Sequence, residues 1–436
     1  MMFEVLSKDF AEIIAPVVSV SQKGVKKDFL FENVLHFHVY EKEREEIDGK
    51  ERIVYTLKVS SFGGVASTYI EFNSGELDLV KPKKEGEILV NTIDFVSSIN
   101  SFEEDRKLVV ESINNSLKIS LKDDPDQSQS ISSLNEKFSV QKSFNEDNKI
   151  MSARVHKDML ERALSSVFWA VGFESARPEY MTLCLKIEPK KIIAEAGTGA
   201  IFTSWQLDSD DDVSSIDGDN KIFFNRGQIP LILDLLKYSD DYVTVSEYES
   251  PDRICINFGN FSLLVSISDT ILKEKWPKLE KILSQEERYS VSIGFKDLEL
   301  ATKGIMASYS SFQKKEKEIL YVNVKGEKGG SNLEFVTEGY SSSKRKVPVR
   351  EVLSDSLDPD GCSEQNVFWN DNKFNPRFLA KHFEDILKNS IYKKENPKMT
   401  VKFLNMAVIL DFPPKQNDHF SATESISVFF ARMENK

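Results

Sequence analysis

Phe10, Ile13, Ile14 and Val17 recur at the spacing of one helix face within Phe3–Val18. The pattern returns at Val155–Val171, carried by Met159, Ala163, Leu164, Val167 and Phe168. It returns again at Val291–Met306, carried by Phe295, Leu298, Ala301, Ile305 and Met306. Each stretch predicts an amphipathic helix behind a short strand. Alternating, strand-like segments follow every copy. A second helix behind a turn then closes it, at 91–99, Asn225–Leu236 and Phe374–Leu387. The repeat is about 140 residues from helix to helix, the size of a domain rather than of a solenoid unit.

Period-2 alternation predicts strands at Phe29–Tyr40, Ile53–Ser60, Ser67–Phe72 and Lys107–Lys122 in the first third. Asp123–Asn135, rich in Asp, Ser and Gln, reads as a loop. Comparable strands fill the other thirds, and a C-terminal strand is expected at Ser425–Ala431. An insertion at Asp355–Asn372 is expected to be exposed. One apolar stripe per helix and one apolar face per sheet require two-layer packing. The expectation is an α+β chain of three repeated domains, 1–148, 149–286 and 287–436, each with two helices on antiparallel sheet.

Composition narrows the classes. The 436 residues are 40% hydrophobic and 29% charged, enough to build several cores. No run is long and apolar enough to span a bilayer, and the N-terminus lacks a basic region followed by an apolar run. The three cysteines, Cys184, Cys255 and Cys362, have no metal-ligand spacing and cannot pair evenly, which fits a reducing, cytoplasmic setting. A net charge of −13 argues against coating nucleic acid over the whole surface. It leaves open one locally basic face. Arg377, Lys381 and Lys388 fall at i, i+4 and i+11, within about 40° of one another on a helix, with Glu384 in the same stripe.

Catalytic and metal chemistry is poorly represented. Asp208–Asp212 resembles a calcium loop, but Val213 stands where the turn needs glycine. Gly197-Thr198-Gly199 is followed by no Gly-Lys-Ser/Thr and is not a phosphate loop. His36 and His38 share one strand face, with no carboxylate or cysteine partner evident near them in sequence. Ser341–Lys346 is basic and runs into a strand pattern, which suits a hairpin better than a targeting signal. No metal, cofactor or enzymatic activity is expected.

Particular segments carry a family resemblance. Gly86–Phe95 leads a strand into a helix. Arg177-Pro178-Glu179-Tyr180 and Ala196-Gly197-Thr198-Gly199-Ala200-Ile201-Phe202 follow in the middle third. Lys275-Trp276-Pro277-Lys278-Leu279 stands at the next boundary, and Gly294-Phe295, Phe374-Asn375 and Val428-Phe429-Phe430 lie in the last third. In order and spacing, over nearly the whole chain, these resemble the bacterial replicative sliding clamp, the beta subunit of DNA polymerase III. The chain departs where the family has Asp-Gly-His-Arg and this sequence has Thr198-Gly199-Ala200-Ile201, so it looks like a divergent member.

The resemblance implies a non-enzymatic ring of two copies around duplex DNA, bound without regard to sequence. It would tether a DNA polymerase and meet a clamp loader through short linear motifs. It assigns Lys23, Lys26, Lys27, Lys157, Arg162, Arg226, Lys237, Lys296, Lys303, Arg377, Lys381 and Lys388 to the DNA-facing surface. It places Arg177, Tyr180, Gly197, Ile201, Phe202, Pro277, Ile282, Val428, Phe430 and Met433 around a partner-peptide pocket. It matches Ile305 and Met306 on one side, and Leu117 and Ile119 on the other, to the dimer contact. The ordinary alternatives are a solvated face for each lysine, core packing for Val428 and Ile282, and intradomain core for the dimer residues. Two rival functions stand beside the clamp. One is a non-ring adaptor, which would not assemble. The other is a repeated-domain hydrolase or nuclease, which would need converging ligands that the sequence does not offer.

Overall fold

The computed structural model describes residues 1–22, 33–47, 50–62, 66–74, 80–103, 105–134, 146–173, 177–198, 201–209, 214–217, 221–249, 253–266, 276, 285, 287–307, 320–327, 330–337, 342–355, 369–370, 373–374, 377–389, 397–404, 407–417 and 422–431. They form two compact units. The first comprises Met1–Asp158, Asp217–Asp219 and Gly227–Ser268, and the second Met159–Ile216, Asn220–Arg226 and Asp269–Lys436. The middle third of the sequence is thus shared between them.

In the first unit, five antiparallel strands run in the order Val80–Lys84, Met2–Leu6, Lys107–Ile113, Ser116–Leu121, Ser128–Ser132. A second sheet runs Lys149–His156, Tyr242–Tyr248, Arg253–Asn257, Phe261–Ser266, Ala66–Asn73, Lys50–Phe62, Val34–Ile47, Gly86–Asn91. It joins sequence-distant segments, since Phe261 lies opposite Ile70 and Val265 opposite Ala66. Phe3, Phe10, Phe37 and Phe95 close the core beneath, with Phe37 and Phe95 ring centroids 4.8 Å apart. Each buried ring contributes roughly 2–3 kcal/mol of transfer free energy.

The short strand expected at the start of Phe3–Val18 is Met2–Leu6, but the single helix expected behind it is two helices, α1 (Ser7–Ile13) and α2 (Ala15–Gln22). Pro16 has no N–H for the Glu12 carbonyl, so the helix breaks at Ile14 and restarts. α3 (Thr92–Asn100) begins where the Asn91 side chain accepts from the backbone N–H groups of Ile93 and Asp94 at 2.8 and 3.2 Å. The alternation over Lys107–Lys122 is a hairpin whose turn, Asn114-Asn115, takes φ values of 45° and 61°. That conformation suits asparagine. The expected loop at Asp123–Asn135 contains the strand Ser128–Ser132. Its alternation is faint because Ile131 is its one buried residue.

In the second unit, fifteen strands among the described residues form one sheet. Its centre is the C-terminal strand Ala422–Ala431. This pairs with Ile201–Ser209 on one side and Ala407–Asp411 on the other. Phe378, Phe383 and Phe430 pack under it, with Phe430 centroids 4.9 and 5.1 Å from the other two. Four more helices lie among the described residues: α4 (Lys157–Phe168), α5 (Ile229–Leu235), α6 (Phe295–Ala307) and α7 (Ala380–Asn389). Helix α7 starts later than expected. Arg377 lies in a short strand, Arg377–Leu379, opposite Asn323. It therefore leaves the helical stripe, which keeps Lys381 and Lys388. No helix among the described residues is long and apolar enough to cross a membrane.

Candidate functional site

Antiparallel pairing between Ile201–Ser209 and Ala422–Ala431 sets Ile201 opposite Phe430, Phe202 opposite Phe429 and Thr203 opposite Val428. Gly197 is paired with Phe202 from the other side. The register thus unites five of the residues assigned to the peptide pocket. Gly197 is required here: a Cβ at that position would come within 2.8 Å of the Phe202 Cα. The turn that follows is tight, with Thr198 N–H donating to the Ile201 carbonyl at 2.7 Å.

A second glycine brings the rim alongside. Gly172 N–H donates to the Tyr180 carbonyl at 2.7 Å, and a Cβ there would lie 3.6 Å from Thr198 Cγ2. Tyr180 and Arg177 sit on and before the 3-10 turn Pro178–Met181. Arg177 donates through Nη1 to the Tyr180 hydroxyl at 3.1 Å.

Burial separates the assigned residues into two groups. Ile201, Phe202, Val428 and Phe430 are 3%, 7%, 1% and 1% exposed, so they are packed as core. Arg177 is exposed and Tyr180 half-buried, so they present polar groups to solvent. Pro277, Ile282 and Met433 lie outside the described residues. Three residues not assigned from sequence join the site. Trp276 stacks edge-on to Phe202 and Phe223, with centroids at 6.0 and 5.4 Å. Its indole N–H donates to buried Glu195 at 3.0 Å, and Glu195 also binds Lys186 at 3.0 Å. Phe173 is 78% exposed. The sequence signals were Trp276 beside Pro277 in the quoted boundary segment and one acid inside the apolar strand Lys191–Gly197.

The basic residues fall into distinct settings. Arg226 stacks between Phe168 and Phe173, its guanidinium 4.7 and 3.5 Å from their centroids. It donates to the Val171 and Phe168 carbonyls, the latter at 3.5 Å, so its donors close the end of α4. Arg162 pairs with buried Glu424. Lys157 pairs with Asp241 at 3.3 Å, and Lys303 with Glu299 at 2.7 Å. On α7, Lys381 reaches Asp385 at 2.7 Å and Glu384 at 3.2 Å, while Lys388 reaches Glu384 at 2.8 Å. The hydrogen bond to Asp385 holds Lys381 above the usual lysine range. The bond from Lys388 holds Glu384 below the usual carboxylate range. Lys237 lies exposed over the Tyr238 ring, and Lys296 is exposed on α6. Lys23, Lys26 and Lys27 lie outside the described residues.

The residues matched to a dimer contact are turned inward. Leu117 and Ile119 are fully buried and Ile305 is 2% exposed, while Met306 is half-buried. The strand Ser128–Ser132 covers the outer edge of the strand that carries Leu117 and Ile119.

No protein-family model matches the chain, and no curated protein matches it in sequence. Solved structures do match, end to end. The Bacillus subtilis DNA polymerase sliding clamp superposes with a TM-score of 0.68 at 12% identity, over 100% of both chains. The C. crescentus beta sliding clamp gives 0.68 at 12% identity, again over 100% of both chains. The DNA polymerase III subunit beta from Pseudomonas aeruginosa gives 0.68 at 13%, with the same full coverage. The chain has the sliding-clamp fold, α+β with antiparallel sheets along its whole length.

Proposed function

We propose that this chain is a DNA sliding clamp, a non-enzymatic processivity factor that encircles duplex DNA and tethers a DNA polymerase. Its three repeats, 1–148, 149–286 and 287–436, share sheets across their boundaries, and two copies close head to tail. The observation that carries the reading is the end-to-end correspondence with clamp structures over 100% of both chains. At that length it spans the whole stretch expected to hold the three repeats.

Physics within this chain supports the same reading. The basic helix residues are mostly held by neighbouring carboxylates, which suits weak, salt-sensitive contact with phosphates rather than tight binding. Encirclement supplies retention, so each contact stays loose enough to slide. The pocket of Gly197, Ile201, Phe202 and Trp276, rimmed by Arg177 and Tyr180, suits a short linear motif with apolar anchors. With no histidine or arginine in the Thr198–Ile201 turn, affinity rests on leucine and aromatic anchors. Polymerase and clamp loader would compete for it.

Topology gives the test. The protein is incubated with nicked circular DNA and the source cell's clamp-loading fraction, and then filtered at high salt. Co-elution with the circle, abolished by one linearising cut, is expected. Equal retention on linear DNA, or none on the circle, overturns the reading.

A further inference from the structure

Two exposed aromatic rings of the first unit lie beside cations rather than acids. Tyr242 opens the strand Tyr242–Tyr248 and is 47% exposed. Tyr238 ends the 3-10 turn Leu236–Tyr238 behind α5 and is 36% exposed. The Arg154 guanidinium lies 4.4 Å from the Tyr242 centroid, and the Lys237 ammonium 4.7 Å from the Tyr238 centroid. The ring quadrupole attracts a cation over its face, so each ring is held rather than left to swing. Neither Arg154 nor Lys237 has an ion pair among the described residues.

Sheet register and one lysine gather these groups. His156 lies opposite Tyr242 and Arg154 opposite Thr244, so Arg154, His156 and Tyr242 share one face of the sheet. The His156 and Tyr242 rings meet in a T, with centroids 5.3 Å apart. Lys157 ties this strand to the segment between the two tyrosines. Its backbone N–H donates to the Asp241 carbonyl at 2.9 Å, and its ammonium reaches the Asp241 carboxylate at 3.3 Å and the Ser239 carbonyl at 3.5 Å. The acids nearby are turned to other partners. Asp241 holds Lys157, and the Asp240 carboxylate lies against Gly259, where a Cβ would overlap it. The Asp158 N–H donates to His156 Nδ1 at 3.3 Å, and its carboxylate is 4.0 Å from the same nitrogen.

Cations alone would suit any polyanion. The exposed rings add a requirement, because they gain most against another flat apolar face. Duplex nucleic acid keeps its base faces stacked inside, whereas a single strand leaves them open. An acidic peptide brings charge without such a face.

We propose that Tyr238 and Tyr242, with Arg154 and Lys237, form a strip that binds single-stranded nucleic acid. Bases pack on the rings and the cations meet the phosphates. Stacking on a phenol ring tolerates every base, so the strip takes a strand without regard to sequence. This goes beyond the encirclement of duplex proposed above, since it concerns unpaired strand and needs no ring closure. The family resemblance matches Lys157 and Lys237 to the duplex and assigns nothing to Arg154, His156, Tyr238 and Tyr242.

Fluorescence anisotropy tests this with the full-length protein, a labelled oligothymidylate, a blunt duplex of the same length and a labelled oligoglutamate. Tyr238→Ala with Tyr242→Ala is expected to weaken binding of the single strand by about tenfold or more and to leave the duplex within about twofold. Tyr238→Phe with Tyr242→Phe keeps both rings and should bind like wild type. Arg154→Gln with Lys237→Gln should reduce the slope of log affinity against log salt by about 1.4. Circular dichroism checks each fold, and Tyr238→Leu with Tyr242→Leu repeats the test if the alanine pair does not fold. A wild type that binds the duplex as tightly as the single strand overturns the strip. So does an alanine pair that binds the strand like wild type, or oligoglutamate bound as tightly as the strand. The two readings fail separately, because retention on nicked circular DNA reports the ring and oligothymidylate affinity reports the strip.

Discussion

Trp276 donates its indole N–H to Glu195 at 3.0 Å, inside a wall of aromatic rings. The buried Glu195 carboxyl has two donors, the indole and Lys186. Removing one leaves a buried acceptor less fully satisfied.

Trp276→Phe should therefore destabilise the second unit by about 1–3 kcal/mol, although an aromatic ring, smaller than the indole, is kept there. Glu195→Gln in the Trp276→Phe background should recover part of that loss. Denaturant midpoints of the two variants and wild type decide it. Equal midpoints for Trp276→Phe and wild type would show the hydrogen bond to be dispensable.

Gly197→Ala forces a methyl group against the Phe202 backbone, where no rotamer change can relieve the overlap. A cost of roughly 2–3 kcal/mol is expected. Affinity for a polymerase-tail peptide should fall with it under the function proposed above, because Gly197 pairs with Phe202, one of the residues proposed to line the pocket. Peptide titration by fluorescence anisotropy at matched folded fractions separates the two effects.

The rim offers a cleaner probe of partner capture than the chain end. Deleting the residues after Phe429 would strip Phe430 from its stack on Phe378 and Phe383, harming the core as well as the pocket. Tyr180→Ala and Arg177→Ala alter half-buried and exposed side chains instead. Each should weaken peptide binding by about 1–2 kcal/mol with little change in melting temperature. Unchanged affinity in both would move the recruiting site elsewhere.

For DNA, Lys381→Gln with Lys388→Gln should reduce the slope of log affinity against log salt by up to about 2. Arg226→Ala should act differently. Its donors close α4 and its plane is stacked on two rings, so the loss should appear as about 1–3 kcal/mol of stability, with the salt slope nearly unchanged. Filter binding across a salt series, beside thermal melts, distinguishes the two.

His36 titrates against burial. Desolvation lowers its pKa below the ordinary 6.5, more than the hydrogen bond to Glu87 raises it, with His38 and Lys58 adding to the lowering. The unfolded chain therefore binds the proton more readily than the folded one. Stability from this group is complete above pH 6.5 and is lost as pH falls below it. His36→Gln should flatten the fall in stability just below pH 6.5. A slope identical to wild type in that window would assign the acid sensitivity to other groups.

Much of this fold was legible from periodicity. Phe295, Leu298, Ala301 and Ile305 describe α6, and Met159, Ala163 and Leu164 describe α4, because one apolar stripe is enough to specify a packed helix. What periodicity could not supply was long-range pairing. Nothing local says that Ile201 lies opposite Phe430, or Phe261 opposite Ile70. Register is a property of two segments, and one segment read alone is silent about its neighbour. Polar edges were also hidden, since Ser128–Ser132 has the composition of a loop and becomes a strand only by lying against Ser116–Leu121. Side-chain direction was the third gap. Arg226 looks like a surface cation until Phe168 and Phe173 are seen on either side of it.

The C-terminal strand at the centre of the second unit also dictates when that unit can fold. Ile201–Ser209 waits for Ala422–Ala431 to complete its edge. On a ribosome adding about 5–20 residues per second, that wait is roughly 10–40 s. During it, an apolar strand edge stands open on every nascent chain. The first unit, whose last strand ends at Ser266, can close well before synthesis finishes. Crowded polysomes should therefore be the place where this protein is most exposed to mispairing, and where a holding chaperone would change its yield most.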